Sequence, residues 1–170
     1  MSSWTKALIL LLAVVWSAAA ADFGALRPTG YVNDFAKVLD PASVQQLEAY
    51  CAQVQNATGA QIALVTITSL EGEPIEDVAN VLYRKWGVGS KKNNEGVLLL
   101  LSINDRRTRL EVGYGLEPII PDGNAGGILR EMRPSLRAGN YAQALSDAAR
   151  TIAEKIAQSK GVQIGMAPPM

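Results

Sequence analysis

NNEGVLLLLSINDRRTRLEVGYGLEPIIPD, residues Asn93–Asp122, is the stretch that decides the fold. Val97–Ile103 is a continuous apolar run, the pattern of an inner strand covered on both faces. Asn104-Asp105-Arg106 reads as a tight turn, with Asp105 a good turn-former. In Arg107–Val112 the residues alternate. Thr108, Leu110 and Val112 face one way, and Arg107, Arg109 and Glu111 face the other, so one side meets solvent or a polar partner. The corner Gly113-Tyr114-Gly115-Leu116-Glu117 runs on to Asp122, and its glycines are expected to supply a positive-φ bend that turns the chain off the strand. They do not make a dinucleotide fingerprint: Pro118 stands where the third glycine belongs, and no GxxxxGK[ST] loop occurs, so no nucleotide cofactor is expected.

A strand rises roughly 3.3 Å per residue, which puts the two ends of Val97–Ile103 on the order of 20 Å apart. Asp105 lies at the hairpin tip. Glu117 and Asp122 return toward the other end, near Asn93 and Asn94. With nearby carbonyls, these four residues have the chemistry of a hard-cation site. The plainer reading pairs Glu117 with an arginine and leaves Asp122 to cap a helix.

Upstream, Gln61–Ser69 is a second apolar, β-branched run fit for an inner strand. It is preceded by a helix with clear limits. Asp40 is placed to cap it, Pro41 fits the first helical position, and Gly59 ends it. Val44, Leu47, Cys51 and Val54 form its buried stripe, which makes Cys51 a small core residue rather than a nucleophile. A second helix buries Ile75, Val78, Ala79, Leu82 and Trp86, the last needing a partner for its indole N–H. Its acids Glu73, Glu76 and Asp77 and its bases Arg84 and Lys85 suit the two ends of the helix dipole. Gly87–Glu95 is a polar connector. Asp22–Asp40 has no period and reads as an extended lead-in pinned by Tyr31, Val32, Phe35 and Leu39. Within it Asp34 is either a local hydrogen-bonding residue or a ligand.

Downstream, Asp122 is expected to cap a third helix through Ala125, Ile128, Leu129 and Met132, interrupted at Pro134. Asn140 is expected to cap a last helix with Tyr141, Ala144, Leu145, Ala148, Ile152 and Ile156 inside. Residues 160–170 read as a flexible tail. The sum is an α/β fold: a three-layer α/β/α sandwich with a small mixed sheet, a parallel pair plus an antiparallel hairpin, flanked by about four helices.

Composition narrows the chemistry. The chain has 170 residues, enough for one domain with a real core, and its 16 basic residues balance 16 acidic ones. No basic block points to nucleic acid. There is no histidine, which excludes Ser-His-Asp and Cys-His catalysis and imidazole-based zinc sites. With one cysteine no intrachain disulfide can form, and any metal would be held by oxygen, which favours calcium, magnesium or manganese. Residues 1–21 have the form of a secretory signal peptide: Lys6, the apolar run Ala7–Trp16, then small residues up to a cleavage point near Ala20–Asp22. An uncleaved anchor is the alternative, but the apolar run is short for a span of about 20 residues. A secreted or periplasmic domain, residues 22–159, is expected.

The linked segments GYVNDFAKVLDP, IEDVANVLYRKWGVGS, NNEGVLLLLSINDRRTRLEVGYGLE, IPD and PSLRAGNYAQAL closely resemble the TPM domain over roughly Gly30–Ala157. The resemblance implies an α/β/α sandwich. Plant thylakoid-lumen members are associated with photosystem II repair and a weak acid phosphatase activity. An animal member is an auxiliary receptor subunit, bacterial members are envelope proteins, and some members carry divalent cations. Onto this chain the resemblance carries Asp34, Asn94, Glu117 and Asp122 as the cation-binding positions, for Ca2+ or Mg2+. Many bacterial members continue into a membrane helix and glycine-rich tail. These do not follow here, so no permanent anchor is expected once the leader is cleaved. The leading expectation is an accessory or maintenance factor with an envelope or membrane protein as partner. The alternative is a metal-dependent acid phosphatase in which Asp34, Glu117 and Asp122 hold the cation.

Overall fold

A computed structural model describes residues 21–89, 93–167 and 170 of the chain. The leader read over residues 1–21 therefore lies, apart from Ala21, outside the described residues. The elements run β1 (Val32–Asp34), α1 (Pro41–Thr58), β2 (Gln61–Ile67), α2 (Ile75–Trp86), β3 (Gly96–Ser102), β4 (Arg107–Val112), α3 (Asp122–Glu131), α4 (Arg133–Arg137) and α5 (Tyr141–Lys160). The four strands form one sheet in the order β1-β2-β3-β4. β1, β2 and β3 are parallel, and β4 closes an antiparallel hairpin with β3.

Alternation through the two inner strands builds two cores. Ile62 and Leu64 of β2 and Val97, Leu99 and Leu101 of β3 face α1, α3 and α5, against Leu47, Cys51, Val54, Ile128, Leu145 and Ile152. Ala63, Val65 and Ile67 of β2 and Leu98 and Leu100 of β3 face α2, against Ile75, Val78, Ala79, Leu82 and Tyr83. The three-layer sandwich is thus realised, with one helix on one face and the remaining long helices on the other.

Three details differ from the sequence reading. The lead-in segment contains a fourth strand: Val32–Asp34 pairs in parallel with Leu64–Thr66. Three residues are too few to show a period, and the strand exists because the edge of β2 offers it a ladder. Its exposed flank is held by Glu48 of α1, whose carboxylate accepts from the N–H groups of Tyr31 (3.1 Å) and Val32 (2.7 Å). Among the described residues there are five α-helices rather than about four, because α3 stops at Glu131 and α4 begins at Arg133 with Pro134 in its first turn. Pro134 lacks the N–H that an uninterrupted helix would use there. Asp122 is the first residue of α3 rather than its cap; Pro121 holds the cap position and no side chain caps it.

The start and end of α1 are as expected. Asp40 accepts from Ser43 N–H at 2.9 Å, and Gly59 closes the helix in the left-handed conformation. Trp86 finds its partner in the Leu26 carbonyl, 2.9 Å away. Past α5, Ile164 and Ala167 pack partly against the first core.

Between α1 and α5 lies one uncompensated group. Tyr50 is 3% exposed, and its hydroxyl has no partner among the described residues. Burial pushes its pKa up to about 12, so it stays a neutral O–H. An unsatisfied buried hydroxyl costs about 1–3 kcal/mol. Tyr50→Phe is therefore expected to keep or raise stability, by about 1 kcal/mol in urea unfolding, whereas an equal loss would show that the hydroxyl is bonded in solution.

Candidate functional site

At the carboxyl ends of the three parallel strands, three loops are tied together by side chains. Asp34 ends β1, and both of its oxygens are occupied: Oδ1 accepts from the Thr66 hydroxyl and from Val38 N–H (3.2 Å), Oδ2 from Leu39 N–H (2.9 Å). Asp105, in the β3–β4 turn, accepts through Oδ2 from Leu70 N–H (2.7 Å) and from the Ser102 hydroxyl. These bonds, the Ser102 hydroxyl first, hold the Asp105 carboxyl below the usual carboxylate range. Lys37, Glu71 and Arg106 adopt left-handed backbone in these loops (φ 54°, 50° and 52°), a conformation side chains rarely take.

Beside the β3–β4 turn opens a cavity of about 520 Å³. Arg106 of the turn, Arg107 at the start of β4, and Arg133 and Arg137 of α4 all line it. Ser102 and Thr108 add hydroxyls, and Leu101, Leu136 and Tyr141 add apolar surface.

The Gly113–Asp122 corner sits at the other end of the sheet. Gly115 N–H donates to the Asn94 carbonyl (3.1 Å), and Gly113 N–H to that of Gly96 (2.7 Å). The Asn94 side chain accepts from the Tyr83 hydroxyl at 3.1 Å. The glycines are not here for positive φ, as the sequence reading had it: Gly113 has φ −70°, and neither it nor Gly115 is among the left-handed residues. They are needed for closeness. A Cβ on Gly113 would overlap the Tyr83 hydroxyl and the Asn94 carbonyl oxygen, and one on Gly115 the Asn93 carbonyl oxygen. Glu117 and Asp122 are exposed, and neither carboxylate bonds to a described residue.

The four positions expected to share a cation are therefore divided. Asn94 and Glu117 lie at one end, with Asp122 at the start of α3 just beyond the corner. Asp34 is paired with Thr66, and Thr66 with Leu101. That is five strand steps beyond the Gln61–Gly96 pair, or about 16 Å at roughly 3.3 Å per residue. One ion could not touch Asp34 and Asn94 together. Among the described residues no three acidic or cysteine side chains gather closely enough to hold a metal.

The arginine-lined cavity was not anticipated. Its signal is visible in hindsight as the tandem Arg106-Arg107 and the four-residue spacing of Arg133 and Arg137, which puts the latter two on one helix face. Nothing in the sequence says that the two pairs meet.

The sequence matches the TPM domain family over residues 32–155. No curated protein matches it. Among solved structures, the solution NMR structure of the N-terminal domain of a protein from P. gingivalis is 35% identical, with a TM-score of 0.72, covering 79% of this chain and 86% of that one. The N-terminal domain of the cg2496 protein from Corynebacterium glutamicum is 14% identical with a TM-score of 0.58, covering 78% and 81%. The BA42 protein from Bizionia argentinensis is 15% identical with a TM-score of 0.62, covering 71% and 82%. At those two identities the likeness concerns the fold alone.

Two outcomes test the geometry of the two ends. Gly115→Ala is expected to destabilise by about 1–3 kcal/mol, because a backbone carbonyl must move. Gly123→Ala, where an added methyl meets nothing within 4 Å, is expected to be neutral or stabilising by up to about 1 kcal/mol; urea unfolding compares them. A lowered folded pKa means that the Asp105 tie is fully present above the unfolded value of about 3.9 and is lost as pH falls through the folded one. The Leu70 amide shift in an NMR titration is expected to follow that lowered midpoint, and to lose the titration in Asp105→Ala.

Proposed function

This chain belongs to the TPM domain family, and from that premise we propose that it is an extracytoplasmic accessory domain that acts by binding an envelope or membrane protein. What carries the reading is how the acids are used. A metal-dependent phosphatase needs carboxylates converging on one cation that polarises phosphate oxygens. Here Asp34 spends both oxygens on the Thr66 hydroxyl and two backbone N–H groups, at the end of the sheet away from Glu117. The chain also has no histidine to act as general acid.

The corner has features suited to binding. Tyr114 is 77% exposed, on a bend tied by the Gly113 and Gly115 amides to the start of β3 and the connector before it. A large ring on a rigid support loses little conformational freedom on contact and buries much apolar area. A calcium or magnesium ion fits this reading as a structural tie on Glu117 and Asp122, with the Asn94 side-chain oxygen as a third donor. The leader read over residues 1–21 supports an extracytoplasmic place. Among the described residues no helix is long and apolar enough to cross a membrane.

Crosslinking in intact cells is expected to join the protein to a specific envelope protein, with the adduct reduced at least severalfold in Tyr114→Ala while the fold is kept. The purified protein is expected to show no phosphomonoester turnover with calcium, magnesium or manganese. Turnover abolished in Glu117→Ala and Asp122→Ala, with folding intact, would overturn the reading in favour of a phosphatase. The ion has a separate test: a rise in thermal midpoint with calcium or magnesium that is missing in Glu117→Ala. No shift with any of the three cations sinks it.

A further inference from the structure

The chain as a whole carries no net charge, yet four arginines line a single cavity with no acidic residue in its wall. Two arginines outside the cavity are neutralised by ion pairs. Arg109 pairs with Glu111 at 3.3 Å, and Arg150 with Asp147 and Glu154 at 3.3 and 3.6 Å. Arg106, Arg133 and Arg137 have no ion pair among the described residues, and Arg107 forms none either, although its charge acts on the neighbouring Asp105 carboxylate. Asp105, next to them in the turn, already has Oδ2 engaged by Leu70 and Ser102.

We propose that this cavity binds a small organic anion carrying two or more negative charges on oxygen. Guanidinium groups present planar forks that match carboxylate and phosphate oxygens in pairs, and they stay charged at any physiological pH. The two pairs come from different elements, the β3–β4 hairpin and α4, so an anion held by all four is contacted from two separate segments. Arg133 and Arg137 are one helical turn apart, where like charges repel; an anion relieves that repulsion. The cavity volume of about 520 Å³ lies in the range of small-molecule sites, about 300–1,000 Å³. An inorganic ion alone would leave most of it empty. Leu101, Leu136 and the Tyr141 ring supply a wall for the carbon skeleton, and the Ser102 and Thr108 hydroxyls add polar contacts. The site also lies beyond the carboxyl ends of the parallel strands, where open α/β sheets bind ligands. It is remote from the Gly113–Asp122 corner and depends neither on a cation nor on a protein partner there.

Calorimetric titration of the full chain at about 150 mM salt, where surface charge is screened beyond about 8 Å, tests this with three soluble probes: citrate, glycerol 3-phosphate and inorganic phosphate. Saturable one-to-one binding of citrate or glycerol 3-phosphate is expected, at least tenfold tighter than inorganic phosphate. Arg106→Ala and Arg137→Ala, each removing an exposed side chain, are expected to weaken it by about tenfold or more with unfolding midpoints unchanged. Arg150→Ala is expected to leave it unaltered. The proposal is overturned if neither organic probe binds saturably, if inorganic phosphate binds as tightly, or if Arg150→Ala weakens binding as much as the cavity variants. Binding only to vesicles of phosphatidylglycerol, with no soluble probe bound, would likewise overturn it.

Discussion

All seven residues of β3 are buried, with Leu98, Leu99 and Leu100 wholly inaccessible. That two-sided burial is the constraint from which the rest of the molecule follows. A strand with apolar side chains on both faces requires cover on both, and its alternation assigns Val97, Leu99 and Leu101 to one core and Leu98 and Leu100 to the other. Burying one such leucine is worth about 1.5–3 kcal/mol, more than a single loop hydrogen bond at about 1 kcal/mol. The core therefore sets where the strands lie, and the loops adapt to the ends it leaves.

Those two ends are built differently. At the carboxyl ends of the parallel strands, carboxylates and hydroxyls hold the loops: Asp34 with Thr66, and Asp105 with Ser102 and Leu70. At the opposite end, backbone meets backbone, and the missing side chains of Gly113 and Gly115 allow the corner to close on Asn93 and Asn94. A short parallel sheet separates the ends by the length of its strands. Charged residues that look equivalent in sequence thereby acquire different surroundings. Asp34 becomes a loop tie, Glu117 stays free in solvent, and four arginines gather around one cavity.

Elements whose signals are local were legible in the sequence. Asp40-Pro41 and Gly59 mark the limits of α1 because capping and left-handed backbone are decided within a few residues. The hairpin Gly96–Val112 was legible because continuous and alternating apolar patterns are properties of neighbours in the chain. β1 was not legible: Val32–Asp34 is strand only because β2 lies beside it and Glu48 covers its outer flank. The role of the corner glycines was misread for the same reason, since the carbonyls they avoid belong to another segment. The Tyr83 hydroxyl, which no local pattern singles out, donates to the Asn94 side chain.

By itself, the sequence determined that this is an α/β sandwich around an apolar inner strand, without histidine chemistry and with a TPM-like order of segments. These conclusions rest on composition and short-range pattern, which survive without coordinates. Only the tertiary structure decided which polar residues are neighbours. Asp34 and Asn94 fall at opposite ends of the sheet because Asp34 pairs with Thr66 near one end of β2, whereas Asn94 precedes Gly96, the partner of Gln61 at the other. Arg106 and Arg137, from separate segments, come to line one cavity. A site is a relation between distant segments, and the burial of β3, not any local signal, brings those segments together.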